Sequence, residues 1–112
     1  MDQRDTDSTE MPRGTLDMLI LRSLSLAPMH GFGITKRIEQ ISRGVFRVNP
    51  GSLLLAFQRM EREGLIEAEW RSTENNRRAK FYRITARGRK RLERDTRDWE
   101  RRTAAIARLL ET

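Results

Sequence analysis

Apolar positions recur along this chain with two different periods, and the switch between them marks out its elements. Between Gly14 and Ala27, Leu16, Leu19, Ile20 and Leu24 share one face at helical spacing, with Asp17 in the first turn where the helix dipole favours an anion. Thr15 to Leu21 is so apolar that this helix must be largely buried, and Pro28-Met29-His30-Gly31 ends it. A second, shorter helix is predicted from about Phe32 to Ser42, with Ile34, Ile38 and Ile41 inward and Lys36, Arg37 and Arg43 outward. The third is bounded by clear signals: Asn49 as N-cap, Pro50 preset for the first helical position, and Gly64 as terminator. Its inner face carries Leu53, Phe57 and Met60, whereas Ser52, Leu55, Arg59 and Arg62 share an outward one.

The period then changes to two. Leu65 to Arg71 reads as a strand, and beyond the turn-forming pair Asn75-Asn76 the residues Phe81, Arg83 and Thr85 alternate with Tyr82 and Ile84. Alternation on both sides of an Asn-rich connection predicts a β-hairpin. Trp70 is expected to pack at the root of that hairpin. From Thr85 or Ala86 to Glu111 the helical period returns, and Leu92, Thr96, Trp99, Thr103, Ile106 and Leu110 recur at alternating spacings of four and three. That is a heptad seam, too short and Thr-rich for a free coiled coil but suited to docking on a second subunit. The expected architecture is mainly α with a two-stranded β-wing: a winged helix-turn-helix over residues 12–85, followed by a dimerisation helix over 86–112. Residues 1–11 are polar and without periodicity, and are expected to form a disordered acidic tail.

Charge adds a partner to this picture. The chain has 112 residues, a formal net charge of +7, and charged residues make up 35% of it. The excess is localised. In residues 1–11, Asp2, Asp5, Asp7 and Glu10 outnumber Arg4, whereas Arg71 to Arg102 holds thirteen Arg and Lys against five Asp and Glu. A cationic hairpin tip followed by a cationic helix suits a polyanion, and the tip fits a minor groove or a phosphate backbone. The other reading of the hairpin alone is an edge protected by charge. With no cysteine and one histidine, thiolate chemistry and a multi-His metal site within one chain are excluded, and no nucleophile–base–orienter set can be assembled. No cofactor is implied. No apolar run approaches a membrane span, and the polar, acidic N-terminus is unlike a signal peptide, so a cytoplasmic protein is expected.

Specific residues carry a resemblance. Gly14-Thr15-Leu16-Asp17, Pro28-Met29-His30-Gly31-Phe32, Gly51-Ser52-Leu53, Arg59-Met60-Glu61-Arg62-Glu63-Gly64-Leu65-Ile66 and Glu74-Asn75-Asn76-Arg77-Arg78-Ala79-Lys80-Phe81-Tyr82-Arg83-Ile84-Thr85 follow one another in the order found in the PadR family. Gly88 and Trp99 also fit, and the chain resembles that family's short form from about residue 13 to 110. The resemblance implies a homodimeric regulator, usually a repressor, that binds an inverted-repeat operator in double-stranded DNA and releases it when a small-molecule effector or another signal arrives. One departure stands out: where the family usually has Tyr-Pro-Ala-Leu, this chain has Leu54-Leu55-Ala56-Phe57. Leu54 has no hydroxyl for a phosphate, and Leu55 restores the backbone donor that proline lacks. Either Leu55 meets a thymine methyl, or the third helix binds more weakly and the wing carries more of the affinity.

The candidate DNA contacts are Asn49, Ser52, Leu55, Gln58 and Arg59 on the third helix, Lys36 and Arg37 on the second, and Asn76, Arg77, Arg78 and Lys80 in the wing. Gln58 and Arg59 suit adenine and guanine edges, and Lys36 and Arg37 suit phosphates. The opposing reading pairs Arg59 and Arg62 with Glu63 and neighbouring acids on a solvated face. Asn75 and Asn76 also serve as turn formers. His30 is expected to pack or cap at the second helix rather than sense pH. Trp99 is an interface anchor on one reading; in some multidrug-sensing relatives a Trp on this helix lines a ligand pocket between subunits, which gives the other. The rival function is a winged-helix protein-interaction module in which Leu54 and Leu55 dock on another protein.

Overall fold

A computed structural model describes residues 14–112; the tail expected over residues 1–11 lies outside the described residues. The chain runs α1 (Thr15–Leu26), β1 (Met29–His30), α2 (Gly31–Ile41), α3 (Pro50–Arg62), β2 (Ile66–Ser72), β3 (Arg78–Ile84) and α4 (Ala86–Glu111). The helix boundaries follow their capping residues. Asn49 Oδ1 accepts from the backbone N–H groups of Gly51 and Ser52 at 2.8 and 3.2 Å, and Pro50 opens α3. At its other end Gly64 takes φ +74°. Leu65 N–H then donates to the Met60 carbonyl, and Gly64 N–H to that of Glu61. These paired bonds satisfy the last carbonyls of α3 and turn the chain into β2. Thr85 caps α4, its hydroxyl oxygen accepting from Gly88 N–H at 3.0 Å. His30 caps α2 through Nδ1, which accepts from Gly33 N–H at 3.2 Å, and its ring meets Phe81 edge-on at 5.5 Å.

The sheet has three antiparallel strands in the order β1-β3-β2. The two-stranded wing expected from the hairpin is therefore extended by Met29 and His30, which pair with Tyr82 and Phe81. Two residues beside a proline carry too little alternation to announce a strand. In the hairpin itself Ile66 faces Ile84, Ala68 faces Tyr82 and Trp70 faces Lys80. Asn76 adopts φ +60° in the connection, a left-handed conformation that Asn tolerates, and its N–H donates to the Thr73 carbonyl.

The core joins Ile20, Leu21 and Leu24 of α1 with Ile34 and Ile38 of α2, Leu53, Phe57 and Met60 of α3, and Leu65, Ile66 and Tyr82 at the base of the wing. Phe57 stacks on Tyr82 at 4.1 Å between centroids, fixing the angle between α3 and the sheet. Burial holds the Tyr82 phenol above its ordinary pKa, so it stays a neutral wall. Two inward assignments are corrected. Ile41 is the last residue of α2 and is 71% exposed, lying beyond the turns of the helix whose Ile34 and Ile38 enter the core. Trp70 is 59% exposed: it continues the inner face of β2 beyond the point where the helices end.

A candidate nucleic-acid interface formed by α3 and the wing

On α3 the buried row is Leu53, Ala56, Phe57 and Met60, which leaves Gly51, Leu55, Gln58 and Arg62 directly opposite it. Leu54 lies on the flank toward the wing and Arg59 on the flank toward α1. Ser52, Leu54, Leu55, Gln58 and Arg62 are all exposed. The structure thus presents most of the expected contact set on one open surface.

Arg59 is the exception. Its guanidinium forms a bidentate pair with Asp17 on α1, 2.5 and 2.8 Å from the two carboxylate oxygens. Asp17 is only 6% exposed, so this carboxylate is a core group matched by a cation rather than an anion placed for the dipole of α1. The hydrogen bond to Asp17 raises the Arg59 pKa further above its ordinary value. Arg59 therefore ties α3 to α1, and its guanidinium, expected at a guanine edge, is engaged within the chain. The alternative, a pairing with Glu63 and neighbouring acids on a solvated face, differs in partner and place, since the acid is the buried Asp17. Only the fold brings together residues 42 positions apart.

The wing sorts its cations in a similar way. Lys80 turns back toward the body, its Nζ 3.2 Å from Glu61 Oε1 and 5.6 Å from the Tyr82 ring centroid. Arg78 covers the exposed Trp70 ring at 5.6 Å, a cation–π contact that holds a charged, flat surface on one side of the hairpin. Arg77 sits exposed at the tip, where its backbone N–H donates to Thr73 Oγ1. Lys36 is exposed and Arg37 half-buried on α2. Asn49 lies at the exposed start of α3, but its side-chain oxygen is used in the cap. Between α2, α3 and the wing an open concavity of about 590 Å³ is lined by Phe32, Leu53, Leu54, Trp70 and Tyr82, with Arg77 and Arg78 on its rim. The apolar character of this hollow was not anticipated; the clue available was Phe32 beside a glycine at the start of a helix.

On α4, Leu92 is half-buried against the core, so the first position of the heptad seam packs within its own chain. Farther along, Trp99, Ile106, Leu109 and Leu110 are between 52 and 82% exposed. Thr103 is exposed as well, while Thr96 is half-buried. Trp99 borders a shallow hollow of about 190 Å³ shared with Gly14, Thr15, Met18 and polar side chains of α4.

A third helix with an exposed polar-and-apolar face, flanked by a cationic hairpin, defines a winged helix-turn-helix transcriptional regulator. Residues 20–94 match the transcriptional regulator PadR-like family, and the chain belongs to that family. Over 91 residues it is 33% identical to a transcriptional regulator of Mycobacterium tuberculosis, a match covering 81% of each chain. Its fold is similar to a PadR-like transcriptional regulator from Bacillus cereus, with TM-score 0.80, 25% identity, and coverage of 93% of this chain and 99% of the other. It is also similar to a PadR family regulator from Eggerthella lenta, with TM-score 0.76, 29% identity, and coverage of 89 and 85%. DNA-binding regulation is the activity of this family, and among the described residues no helix is long and apolar enough to cross a membrane.

The exposed tip of the wing gives a direct prediction. Arg77→Ala should weaken binding to duplex DNA about equally across sequences and reduce the slope of log affinity against log salt by about one. Fluorescence anisotropy over a salt series measures both. An unchanged slope would remove Arg77 from the phosphate contacts.

Proposed function

We propose that the chain works as a cytoplasmic homodimeric repressor that occupies an inverted-repeat operator and leaves it when a small molecule or another signal acts on the dimer. In this reading the winged helix-turn-helix extends to Thr85 and the rest of the chain is the dimerisation helix. The observation that carries it is the far half of α4, which holds Trp99, Ile106, Leu109 and Leu110 in the open on a helix otherwise crowded with charge. Large apolar side chains at helical spacing on a projecting helix call for a partner surface, and a second copy supplies one by two-fold symmetry. Two reading heads related by that axis match an operator whose halves are inverted repeats.

The test is sedimentation of the full chain together with the Ile106→Asp/Leu110→Asp variant. Wild type is expected to sediment as a dimer. The variant should be monomeric with its helical circular dichroism retained, and should lose more than tenfold in affinity for duplex DNA taken from upstream of its own gene. A monomeric wild type that binds that duplex as tightly as the variant does would overturn the dimer reading.

A further inference from the structure

We infer that α3 reads A·T base pairs, with Leu55 against a thymine methyl and Gln58 on an adenine edge. This assignment rests on the DNA-binding reading of α3 and goes beyond it by naming the base chemistry. The argument begins with what the outward row has lost. Asp17 holds Arg59 by both guanidinium nitrogens that the structure pairs, at 2.5 and 2.8 Å, so the fork that would fit guanine O6 and N7 is already occupied. Opposite the buried row there remain Gly51, Leu55, Gln58 and Arg62, with Leu54 beside them. Arg62 is the last residue of α3, whereas base contacts in such modules come mainly from the N-terminal part of the recognition helix.

That part offers an apolar side chain that is 66% exposed at Leu55, a second at Leu54 that is 54% exposed, and the exposed amide of Gln58 one turn on. In the major groove only thymine presents a methyl group, and adenine N6 and N7 match a carboxamide in both hydrogen-bonding directions. Leu55 and Gln58 are three residues apart, so they lie on one face and can address the same pair or adjacent pairs. The surrounding charge fits the same occupant. Arg77 lines the hollow beside Leu54 on the wing side, and Lys36 is exposed on α2, so cations suited to phosphates border this part of α3.

The experiment uses the full chain and duplexes selected from a random-sequence library at low salt. In the selected site, thymines are replaced one at a time by uracil, which deletes the methyl and keeps the pairing. Adenines are replaced by 7-deazaadenine, which deletes N7. Each contacted methyl should be worth roughly three- to fourfold in affinity, as expected for one buried carbon. The loss should vanish in Leu55→Ala, and the 7-deazaadenine effect should vanish in Gln58→Ala. Insensitivity to uracil throughout a site that binds well overturns the inference and leaves DNA binding intact. Sensitivity that persists unchanged in Leu55→Ala overturns the assignment to that residue. If no duplex is retained at low salt, the DNA-binding reading of α3 fails with it, and Leu54 and Leu55 pass to a protein partner.

Discussion

Gly88→Ala is expected to lower the melting temperature by roughly 10–20 °C, an effect of about 3 kcal/mol on a domain of this size. Gly88 lies in the first turn of α4 and is buried. An added Cβ would fall well inside contact distance of the Leu65 carbonyl oxygen and 2.8 Å from Ile84 Cγ1. Neither neighbour can yield cheaply. The Leu65 carbonyl belongs to the chain reversal after α3 and already accepts from Thr85 N–H at 3.1 Å. Ile84 is paired with Ile66 across the hairpin. The conflict therefore pushes α4 away from the base of the wing, at the joint that sets the angle between the winged domain and α4. Gly31→Ala is the control, since its Cβ would meet Phe57 Cε2 at 3.4 Å and Leu53 Cδ2 at 3.8 Å, both ordinary contacts. Thermal unfolding followed by circular dichroism measures both variants; equal melting temperatures for Gly88→Ala and wild type would mean that α4 does not seat this closely.

The second large effect belongs to Asp17. Asp17→Asn removes a negative charge that is 9% exposed at its side chain and leaves the Arg59 cation facing a neutral amide. Fully buried pairs cost about 3–5 kcal/mol when one partner is removed. The Arg59 side chain keeps 34% of its exposure, so water offsets part of the loss and about 2 kcal/mol is expected. Arg59 remains a cation in the variant, which rules out relief by deprotonation. Removing both partners, as in Asp17→Asn/Arg59→Met, should cost less than the two single changes added together, with a coupling of about 1–2 kcal/mol. Denaturant unfolding of the four proteins measures this directly. Strict additivity would show that the pair does not hold α3 on α1. Because α1 also packs against α4, the single variant should reduce DNA affinity without altering any residue assigned to contact DNA.

Both predictions concern residues whose importance was only half visible in the chain. Gly88 could be noted as a glycine in a helix, yet nothing local says that a carbonyl from residue 65 approaches it. Asp17 was legible as an anion in a first helical turn, which is a common and weak arrangement. Arg59 looked outward because helical spacing puts it beside Ser52 and Leu55. A position on the flank of a helix is inward or outward according to what packs there. The same uncertainty affected Trp70, where alternation identifies the correct face of β2 but not the point at which the helices stop covering it.

What the amino-acid order determined by itself was everything set within a few residues. Asn49-Pro50, Gly64 and Thr85 punctuate α3 and α4 through bonds spanning at most five positions. Asn76 makes its turn by its own backbone preference, and period-two alternation specifies the pairing of β2 with β3. The localised positive charge pointed to a polyanion before any geometry existed. The tertiary structure alone decided which cations remain available. It engaged Arg59 with Asp17, Lys80 with Glu61 and Arg78 with the face of Trp70, and left Lys36, Arg62 and Arg77 exposed without an ion pair among the described residues. The physical reason is range: capping and turn formation are local, whereas an ion pair depends on which distant elements the core brings together.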